Sequence, residues 1–125
     1  MTEYEIAVQI ADTYMQAMSA GDFDRVVALY ADDAILEDPV GSEVLSGKSA
    51  ISDFYHSITG TQITCTRTGP VRYANRELVF PFECSMKAPG MNMTVSIIDH
   101  FVLNGDDKVV SMRAFWSQDT TTVES

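Results

Sequence analysis

The spacing of the apolar residues changes once along this chain, near Thr61, and the change restricts the folds that the chain can adopt. Before that point, apolar side chains recur every fourth residue and would share one face of a helix; the first series is Ile6, Ile10, Tyr14 and Met18. Beyond it, apolar and polar residues alternate, as in a half-buried strand; one series is Leu78, Phe80, Phe82, Cys84 and Met86. Helices followed by strands predict an α+β fold with the helices packed on one face of the sheet.

Capping signals divide the first part of the chain into helices. Thr2 and Glu5 form a capping box that predicts the start of the first helix, and Gly21 is expected to end it. Asp22 is expected to cap a second, shorter helix that carries Tyr30 on its buried face.

A short strand and a third helix are predicted next. The strand runs from Ala34 to Asp38 and ends there, because Pro39 cannot continue a hydrogen-bonded ladder. Ser46 is expected to cap the third helix. The apolar face of that helix has helical spacing and consists of Ile51, Phe54, Tyr55 and Ile58.

Four or five antiparallel strands are predicted after Thr61, with reversals at Pro-Gly 89–90 and Asn-Gly 104–105. The tail from Gln118 is polar and is expected to fray. The 125 residues are predicted to form a single domain, 1–125, in which three N-terminal helices pack on a curved antiparallel sheet.

Charge limits the partners that this chain can have. It carries 8 Lys and Arg against 18 Asp and Glu, a net charge of −10, whereas nucleic acids and anionic membranes require a basic surface. Cys65 and Cys84 form no C-x-x-C pair, no signal-peptide pattern is visible, and no apolar stretch approaches the about 20 residues of a membrane span. A reduced, cytoplasmic protein is expected, with both cysteines as small core residues.

Asp99 is the residue that fits a plain core least. Alternation places its carboxyl on the same face of a strand as Ile97 and Phe101. Burial disfavours the charged form and raises the pKa of a carboxyl, and a neutral carboxyl is a hydrogen-bond donor. The same pattern is compatible with a bulge that turns Asp99 outward, or with a structural hydrogen bond from Asp99 to a neighbouring strand.

Tyrosines and a second aspartate form the remaining candidate groups. Tyr14, Tyr30 and Tyr55 lie on the predicted buried faces of the three helices, where they would form either a hydrogen-bonded chain or three separately satisfied hydroxyls. Asp38 precedes Pro39 and is either a turn residue or a carboxylate at the edge of an apolar cavity, placed to move a proton.

Nucleophilic, nucleotide and metal chemistry lack a signal. His100 is predicted to point away from Asp99, and His56 falls off the apolar face of the third helix, so no Ser-His-Asp arrangement is supported. There is no G-x-S-x-G, G-x-G-x-x-G, P-loop or H-E-x-x-H pattern. No metal site or cofactor is expected, and the Met and Phe residues suit a dry pocket for a flat apolar ligand.

Six segments carry a family resemblance: Ala-Gly-Asp at 20–22, Val-Ala-Leu-Tyr-Ala-Asp-Asp-Ala at 27–34, Glu-Asp-Pro-Val-Gly-Ser-Glu at 37–43, Phe-Tyr at 54–55, Ile-Asp-His-Phe at 98–101 and Lys-Val-Val-Ser-Met-Arg-Ala at 108–114. Together they resemble the ketosteroid isomerases (steroid delta-isomerases). The resemblance covers nearly the whole chain and is weakest in the ranges 60–75 and 87–94. It implies the cone-shaped, NTF2-like α+β fold.

The resemblance also implies an activity and a role for each matching residue. Ketosteroid isomerases move a β,γ double bond into conjugation in 3-oxosteroids by proton transfer through a dienolate, without metal or cofactor. Asp38 matches their general base, and Tyr14 and a protonated Asp99 match the two donors of the oxyanion hole. Tyr55 and Tyr30 match the tyrosines behind Tyr14. The positions that match the steroid pocket are Phe54, Phe82, Phe101, Met112 and Trp116.

Two alternative functions and one assembly state are compatible with the sequence. A related enzyme, such as a polyketide cyclase or an epoxide hydrolase, also uses acidic groups in an apolar cone, but the predicted apolar faces offer no arginine to hold an epoxide-opening water. A non-catalytic binder of an apolar ligand is the second alternative, and Asp99 on an apolar face counts against it. A homodimer is expected, because the other face of the sheet mixes Ile98, Val102 and Phe115 with polar residues.

Overall fold

The structure is a computed structural model that describes residues 1–124. The described residues form three α-helices, which are α1 (Glu3–Ala20), α2 (Phe23–Val27) and α3 (Lys48–His56). They also form eight strands, which are β1 (Tyr30–Glu37), β2 (Leu45–Ser46), β3 (Gln62–Arg67), β4 (Arg72–Ala74), β5 (Glu77–Ala88), β6 (Met91–Leu103), β7 (Val109–Phe115) and β8 (Thr121–Glu124). A short 3-10 helix, Gln118–Thr120, precedes β8.

Helix α1 begins and ends where the sequence predicts. The Glu5 amide donates to the Thr2 hydroxyl at 3.1 Å, and the Thr2 amide donates to the Glu5 carboxylate at 2.9 Å, so the capping box is complete. Gly21, with φ of 67°, donates its amide to carbonyls of the last turn and ends the helix. Helix α1 therefore presents Tyr14 to the interior, as its apolar stripe predicts.

The second helix is shorter than predicted. It ends at Val27, and Tyr30 is the first residue of β1 rather than a helical residue, so that placement of Tyr30 was wrong. The Val109 amide donates to the Leu29 carbonyl at 2.9 Å, which begins the pairing of β1 with β7. The Tyr30 side chain is buried nonetheless.

The third helix does not use the predicted cap. Its N-terminal cap is Gly47, which supplies no side-chain hydrogen bond. Ser46 lies in β2, paired with Ile35 of β1, and its side chain does not cap the helix. The helix still buries Ile51 and Tyr55 on its apolar face, as the spacing predicts.

The strands form one curved, mixed sheet in the order β2-β1-β7-β6-β5-β3, with β4 paired to β5 and β8 paired to β6. The described pairings are antiparallel except that of β1 with β7, which is parallel. Parallel neighbours end at the same edge of a sheet. Residue 38, which follows β1, therefore lies close to residue 116, which follows β7.

The tail does not fray as predicted. Strand β7 pairs with β6 only along 98–103, so the edge of β6 at 92–95 is left open. Strand β8 fills that edge, with Thr121 opposite Val95 and Glu124 opposite Asn92. The backbone groups of a polar segment can form hydrogen bonds with an open strand edge. The local sequence does not reveal that such an edge exists.

The α+β prediction is confirmed: the helices cover one face of the curved sheet and enclose the core between them. The opposite face exposes Val79, Ile98 and Phe115. None of the described helices is long and apolar enough to cross a membrane.

Candidate active site

An apolar cavity of about 180 Å³ lies between the helices and the inner face of the sheet. Helix α1 supplies Tyr14, helix α3 supplies Phe54 and Tyr55, and strands β5 and β6 supply the opposite wall. The groups with titratable or polar atoms among its lining residues are Tyr14, Asp38, Tyr55, Cys65, Cys84, Asp99 and Trp116. The remaining lining is apolar, so the few polar groups act in a water-poor space.

Three of the five predicted pocket residues line this cavity, namely Phe54, Phe82 and Trp116. Phe101 and Met112 do not line it, so their contact with a ligand stays a prediction. Both are fully buried, and the Phe101 ring packs edge-on against Tyr14 with 5.4 Å between ring centroids. Strand alternation predicts which face a residue occupies, but it does not tell whether another side chain lies between that residue and the cavity.

Several lining residues were not singled out from the sequence as pocket residues. They are Met18, Ile58, Cys65, Cys84, Met86, Met93, Val95 and Ile97. Most of them belong to the periodic apolar faces of α1, β5 and β6, so a signal was present. That signal does not separate residues that line a cavity from residues that close the core.

The three tyrosines form a continuous hydrogen-bonded chain. The Tyr55 hydroxyl lies 2.6 Å from the Tyr30 hydroxyl and 3.2 Å from the Tyr14 hydroxyl. Tyr14 and Tyr55 reach the cavity, whereas Tyr30 is buried behind them. Burial raises the pKa of Tyr14 well above its usual range, so its hydroxyl stays protonated. The alternative of three separately satisfied hydroxyls is excluded.

Asp99 is buried without a hydrogen-bond partner. Its exposed fraction is 1 %, and neither carboxyl oxygen has a partner among the described residues. It pairs regularly with Phe80 of β5 and Ala114 of β7, so no bulge turns it outward, and no structural hydrogen bond holds it. Burial, and then the charge of Asp38, raise the pKa of Asp99 well above its ordinary value. The neutral acid is therefore favoured, with an O–H available for donation into the cavity.

Asp38 is a partly buried carboxylate held by an indole. The Trp116 Nε1–H donates to Asp38 Oδ1 at 2.7 Å, across the edge where β1 and β7 end. Burial raises the pKa of Asp38, and the hydrogen bond from Trp116 partly offsets that effect. The sequence placed both residues near the pocket but did not reveal their contact; an indole N–H on a buried face requires an acceptor, which was the available signal.

The turn that carries Asp38 is fixed on both sides. The Val40 amide donates to the Ala114 carbonyl of β7 at 2.8 Å. The Glu37 carboxylate accepts from the Gly41 amide at 2.8 Å and from Arg113 Nε at 3.0 Å. Asp38 is thus placed by backbone and side-chain contacts that do not involve its own carboxylate.

The histidines lie away from the cavity, as predicted. His100 Nε2 is 2.7 Å from a Glu77 carboxylate oxygen, and His56, which is exposed, contacts Asp24 at 3.0 Å. Residues 1–124 contain no group of three or more His, Cys, Asp or Glu side chains that would hold a metal ion.

Comparison with known proteins assigns the family. The family model of the SnoaL-like domain matches residues 11–112. This chain belongs to the SnoaL-like, NTF2-like family. Within that family it is similar to the Steroid Delta-isomerase of Nocardioides simplex, with 36% identity over 104 residues that cover 83% of this chain and 84% of that protein.

Three solved structures share this fold and superimpose closely on the chain. The epoxide hydrolase/cyclase-like enzyme SalBIII, which has a role in pyran ring formation in the polyether salinomycin, matches with a TM-score of 0.89 and 23% identity, covering 99% of this chain and 100% of that one. RV0760c from Mycobacterium tuberculosis matches with a TM-score of 0.88, 22% identity and the same coverage. A computationally designed 17-OHP binder matches with a TM-score of 0.85 and 19% identity, covering 96% and 97%. At these identities the matches show the fold alone.

Proposed function

We propose that this protein is a steroid delta-isomerase that converts β,γ-unsaturated 3-oxosteroids into the conjugated enones. One observation carries the proposal: a single apolar cavity holds a carboxylate, Asp38, together with two groups that burial keeps as neutral donors, Tyr14 and Asp99. A base and paired donors are what an enolisation requires. The similarity to a Steroid Delta-isomerase over most of the chain supports the same reaction class.

Asp38 is the proposed general base. The carbon between the ketone and the double bond of such a steroid is acidic, and Asp38 takes its proton and returns it two carbons along. The raised pKa of Asp38 strengthens its carboxylate as a base, and the hydrogen bond from Trp116 favours the ionised form that must take the proton. Trp116 is a positioning residue, since it holds one carboxylate oxygen and leaves the other free for the substrate.

Tyr14 and Asp99 are the proposed oxyanion hole. Removal of the proton places negative charge on the ketone oxygen, and both groups would donate hydrogen bonds to that oxygen. Aligned donors are effective here because the cavity excludes competing water. Tyr55 and Tyr30 extend the chain behind Tyr14, and a hydrogen bond received by the Tyr14 oxygen strengthens its own donation.

The cavity suits a flat, apolar ligand. Its volume of about 180 Å³ is below the roughly 300–1,000 Å³ of pockets that enclose a drug-sized ligand. The ketone-bearing end of a fused-ring molecule would therefore be enclosed, with the other rings outside or accommodated by movement of flexible methionines such as Met86 and Met93.

The alternatives are less well supported. No arginine or asparagine lines the cavity to hold a water for epoxide opening. A binder of an apolar ligand gains nothing from the unpartnered Asp99 carboxyl, which lowers stability unless a ligand accepts from it. Both points favour an enzyme that stabilises developing negative charge.

A homodimer is part of the proposal. The outer face of the sheet exposes Ile98, Phe115 and Val79, with the Arg113 guanidinium 5.3 Å from the centre of the Phe115 ring. Apolar residues with one stacked arginine are typical of interface centres. Light scattering at micromolar concentration is expected to give twice the 13.8 kDa chain mass, and a monomeric mass would contradict this.

Turnover tests the function directly. Metal-stripped protein is mixed with a β,γ-unsaturated 3-oxosteroid, and the ultraviolet absorbance of the conjugated product is followed. A rapid rise without added metal or cofactor is expected. A flat trace from protein shown to be folded would contradict the isomerase proposal and leave the family assignment unchanged.

A further inference from the structure

Two thiols meet in the wall of the cavity. Cys65 on β3 and Cys84 on β5 are directly opposite each other in the antiparallel pair, and their Sγ atoms lie 3.6 Å apart. Both are free, both are buried, and both line the cavity. The proposed isomerisation uses neither of them, so this pair has no role in that reaction.

We propose that Cys65 and Cys84 are a modification site, at which a small peroxide that enters the cavity oxidises the two thiols to a reversible intramolecular disulfide. Directly opposed residues of antiparallel strands have Cα atoms about 4.5 or 5.5 Å apart, and both separations fall within the roughly 4.4–6.8 Å of disulfides. Rotation of the two side chains and a small approach of the two strands would bring the sulfurs from 3.6 Å to about 2.05 Å, with no change of register.

The contact between the thiols assigns their order of reaction. The Cys65 S–H donates to the Cys84 sulfur, and this hydrogen bond lowers the pKa of Cys84 against the opposing effect of burial, while the pKa of Cys65 is raised. Because the thiolate is the nucleophile, Cys84 attacks first and Cys65 resolves the product.

The reaction balances with peroxide as the named oxidant. The Cys84 thiolate attacks one peroxide oxygen, the O–O bond breaks, and the departing hydroxide takes up the proton released by the thiol to become water. Cys84 is then a sulfenic acid. The Cys65 sulfur attacks it, the S–S bond forms, the S–O bond breaks, and the hydroxide leaves as water with the Cys65 proton. Two thiols lose two electrons, and the peroxide is reduced to two waters.

The cavity decides which oxidants reach the pair. The exposed fractions of Cys65 and Cys84 are only 9% and 2%, so the outer surface offers little access. A cavity of about 180 Å³ admits hydrogen peroxide, which is close to water in size, whereas larger reagents enter poorly. The disulfide would link β3 to β5 and reshape the wall that faces the ligand.

Mass spectrometry of the whole chain tests the proposal. Reduced protein is treated with hydrogen peroxide, and the remaining thiols are alkylated. Loss of both thiols is expected, with a mass decrease of two hydrogen atoms that dithiothreitol reverses, and a peptide map that joins 65 to 84. Oxidation is also expected to raise Tm by several degrees, because the cross-link restricts the unfolded chain.

Two isosteric variants separate the roles. Cys65→Ser should leave Cys84 as a sulfenic acid that dimedone traps, since the resolving thiol is absent. Cys84→Ser should lose its remaining thiol, Cys65, about tenfold more slowly than Cys65→Ser loses Cys84. The reason is that Cys65 is the less reactive of the two thiols. Circular dichroism confirms that each variant is folded.

Three results would overturn the proposal. They are thiols that survive peroxide, oxidation to sulfinic or sulfonic acid without a 65–84 link, and disulfides that join separate molecules. The peptide map of the peroxide-treated protein without substitutions distinguishes these three results from the expected 65–84 disulfide. It does so even if a serine variant does not fold. None of these outcomes depends on isomerase activity.

Discussion

Trp116 and Asp38, 78 positions apart in the chain, share a 2.7 Å hydrogen bond at the edge of the cavity. The parallel pairing of β1 with β7 creates this contact, because it brings the ends of both strands to the same edge. The indole holds one oxygen of the proposed base and opposes the effect of burial on its pKa. The pKa of the proposed base therefore depends on the pairing of these two strands as well as on burial in the cavity.

Trp116→Phe is expected to shift the acidic limb of the pH profile. The indole N–H stabilises the charged carboxylate, so its loss raises the pKa of Asp38, and the ionised base then persists only at higher pH. A hydrogen bond to a charged group contributes about 1.5–3 kcal/mol, which corresponds to a shift of about one pH unit or more. The measurement is kcat/KM against pH.

Phe82→Leu is the matched control for Trp116→Phe. Phe82 lines the same cavity without a polar atom to contact Asp38, so this variant should change KM and leave the limb in place. An unshifted limb in Trp116→Phe would show that the indole does not tune the base.

Asp99→Val is expected to raise stability and lower activity. Removal of an unpartnered buried carboxyl should increase the free energy of unfolding by about 1–3 kcal/mol. Loss of one oxyanion donor should lower kcat about 10²–10³-fold. Urea denaturation and turnover, measured on the same preparation, check both effects. Unchanged kcat would contradict the proposed role of Asp99 as an oxyanion donor.

The raised pKa of Asp99 also predicts how the free energy of unfolding depends on pH. Its folded-state pKa lies well above its unfolded value, so the folded protein keeps a proton that the unfolded chain releases. This difference in proton binding favours the folded state most at a pH below the unfolded pKa of Asp99. The favourable contribution is lost as the pH rises towards the folded pKa. Relative to Asp99→Asn, the free energy of unfolding should fall by about 1.4 kcal/mol per pH unit from about pH 4 upward.

Urea denaturation at a series of pH values measures that difference. Its slope should disappear above the pKa of Asp99 in the folded state. A constant difference between the two proteins over the whole range would mean that Asp99 is ionised when folded.

Tyr55→Phe is expected to destabilise the protein more than either neighbouring substitution. Its hydroxyl joins Tyr14 to Tyr30, so its removal leaves both of those buried hydroxyls without their partner. The expected loss is about 2–4 kcal/mol, against about 0.5–1.5 kcal/mol for Tyr30→Phe, which leaves Tyr55 bonded to Tyr14. Urea denaturation compares the variants. Equal losses would mean that the three hydroxyls do not act as one chain.

Local signals and periodicity predicted the features that depend on neighbouring residues. The capping box of Thr2 and Glu5 needs only the first turn, and the face occupied by Asp99 follows from alternation along one strand. The face predicted for Tyr14 likewise follows from helical spacing. In each case the deciding contacts lie within a few residues or repeat with a fixed period.

Features decided by distant pairing were missed. Tyr30 lies in a strand because the Val109 amide donates a hydrogen bond to the Leu29 carbonyl and so pairs β1 with β7. The tail after Gln118 forms a strand because β7 leaves part of the edge of β6 unpaired. The depth of Phe101 depends on the rings packed over it, including Tyr14. No local pattern carries this information, since each outcome depends on which edges and spaces remain after the other elements have packed.

Asp38 is the proposed base on which the isomerase reaction depends, and Asp38→Asn tests that role most directly. The amide keeps the shape of the side chain and its acceptor for Trp116, but it cannot take a proton from carbon. Turnover of a β,γ-unsaturated 3-oxosteroid is expected to fall at least about 10²-fold, while binding of a fused-ring phenol that mimics the dienolate is retained. Normal turnover in folded Asp38→Asn would contradict the role of Asp38 as the general base.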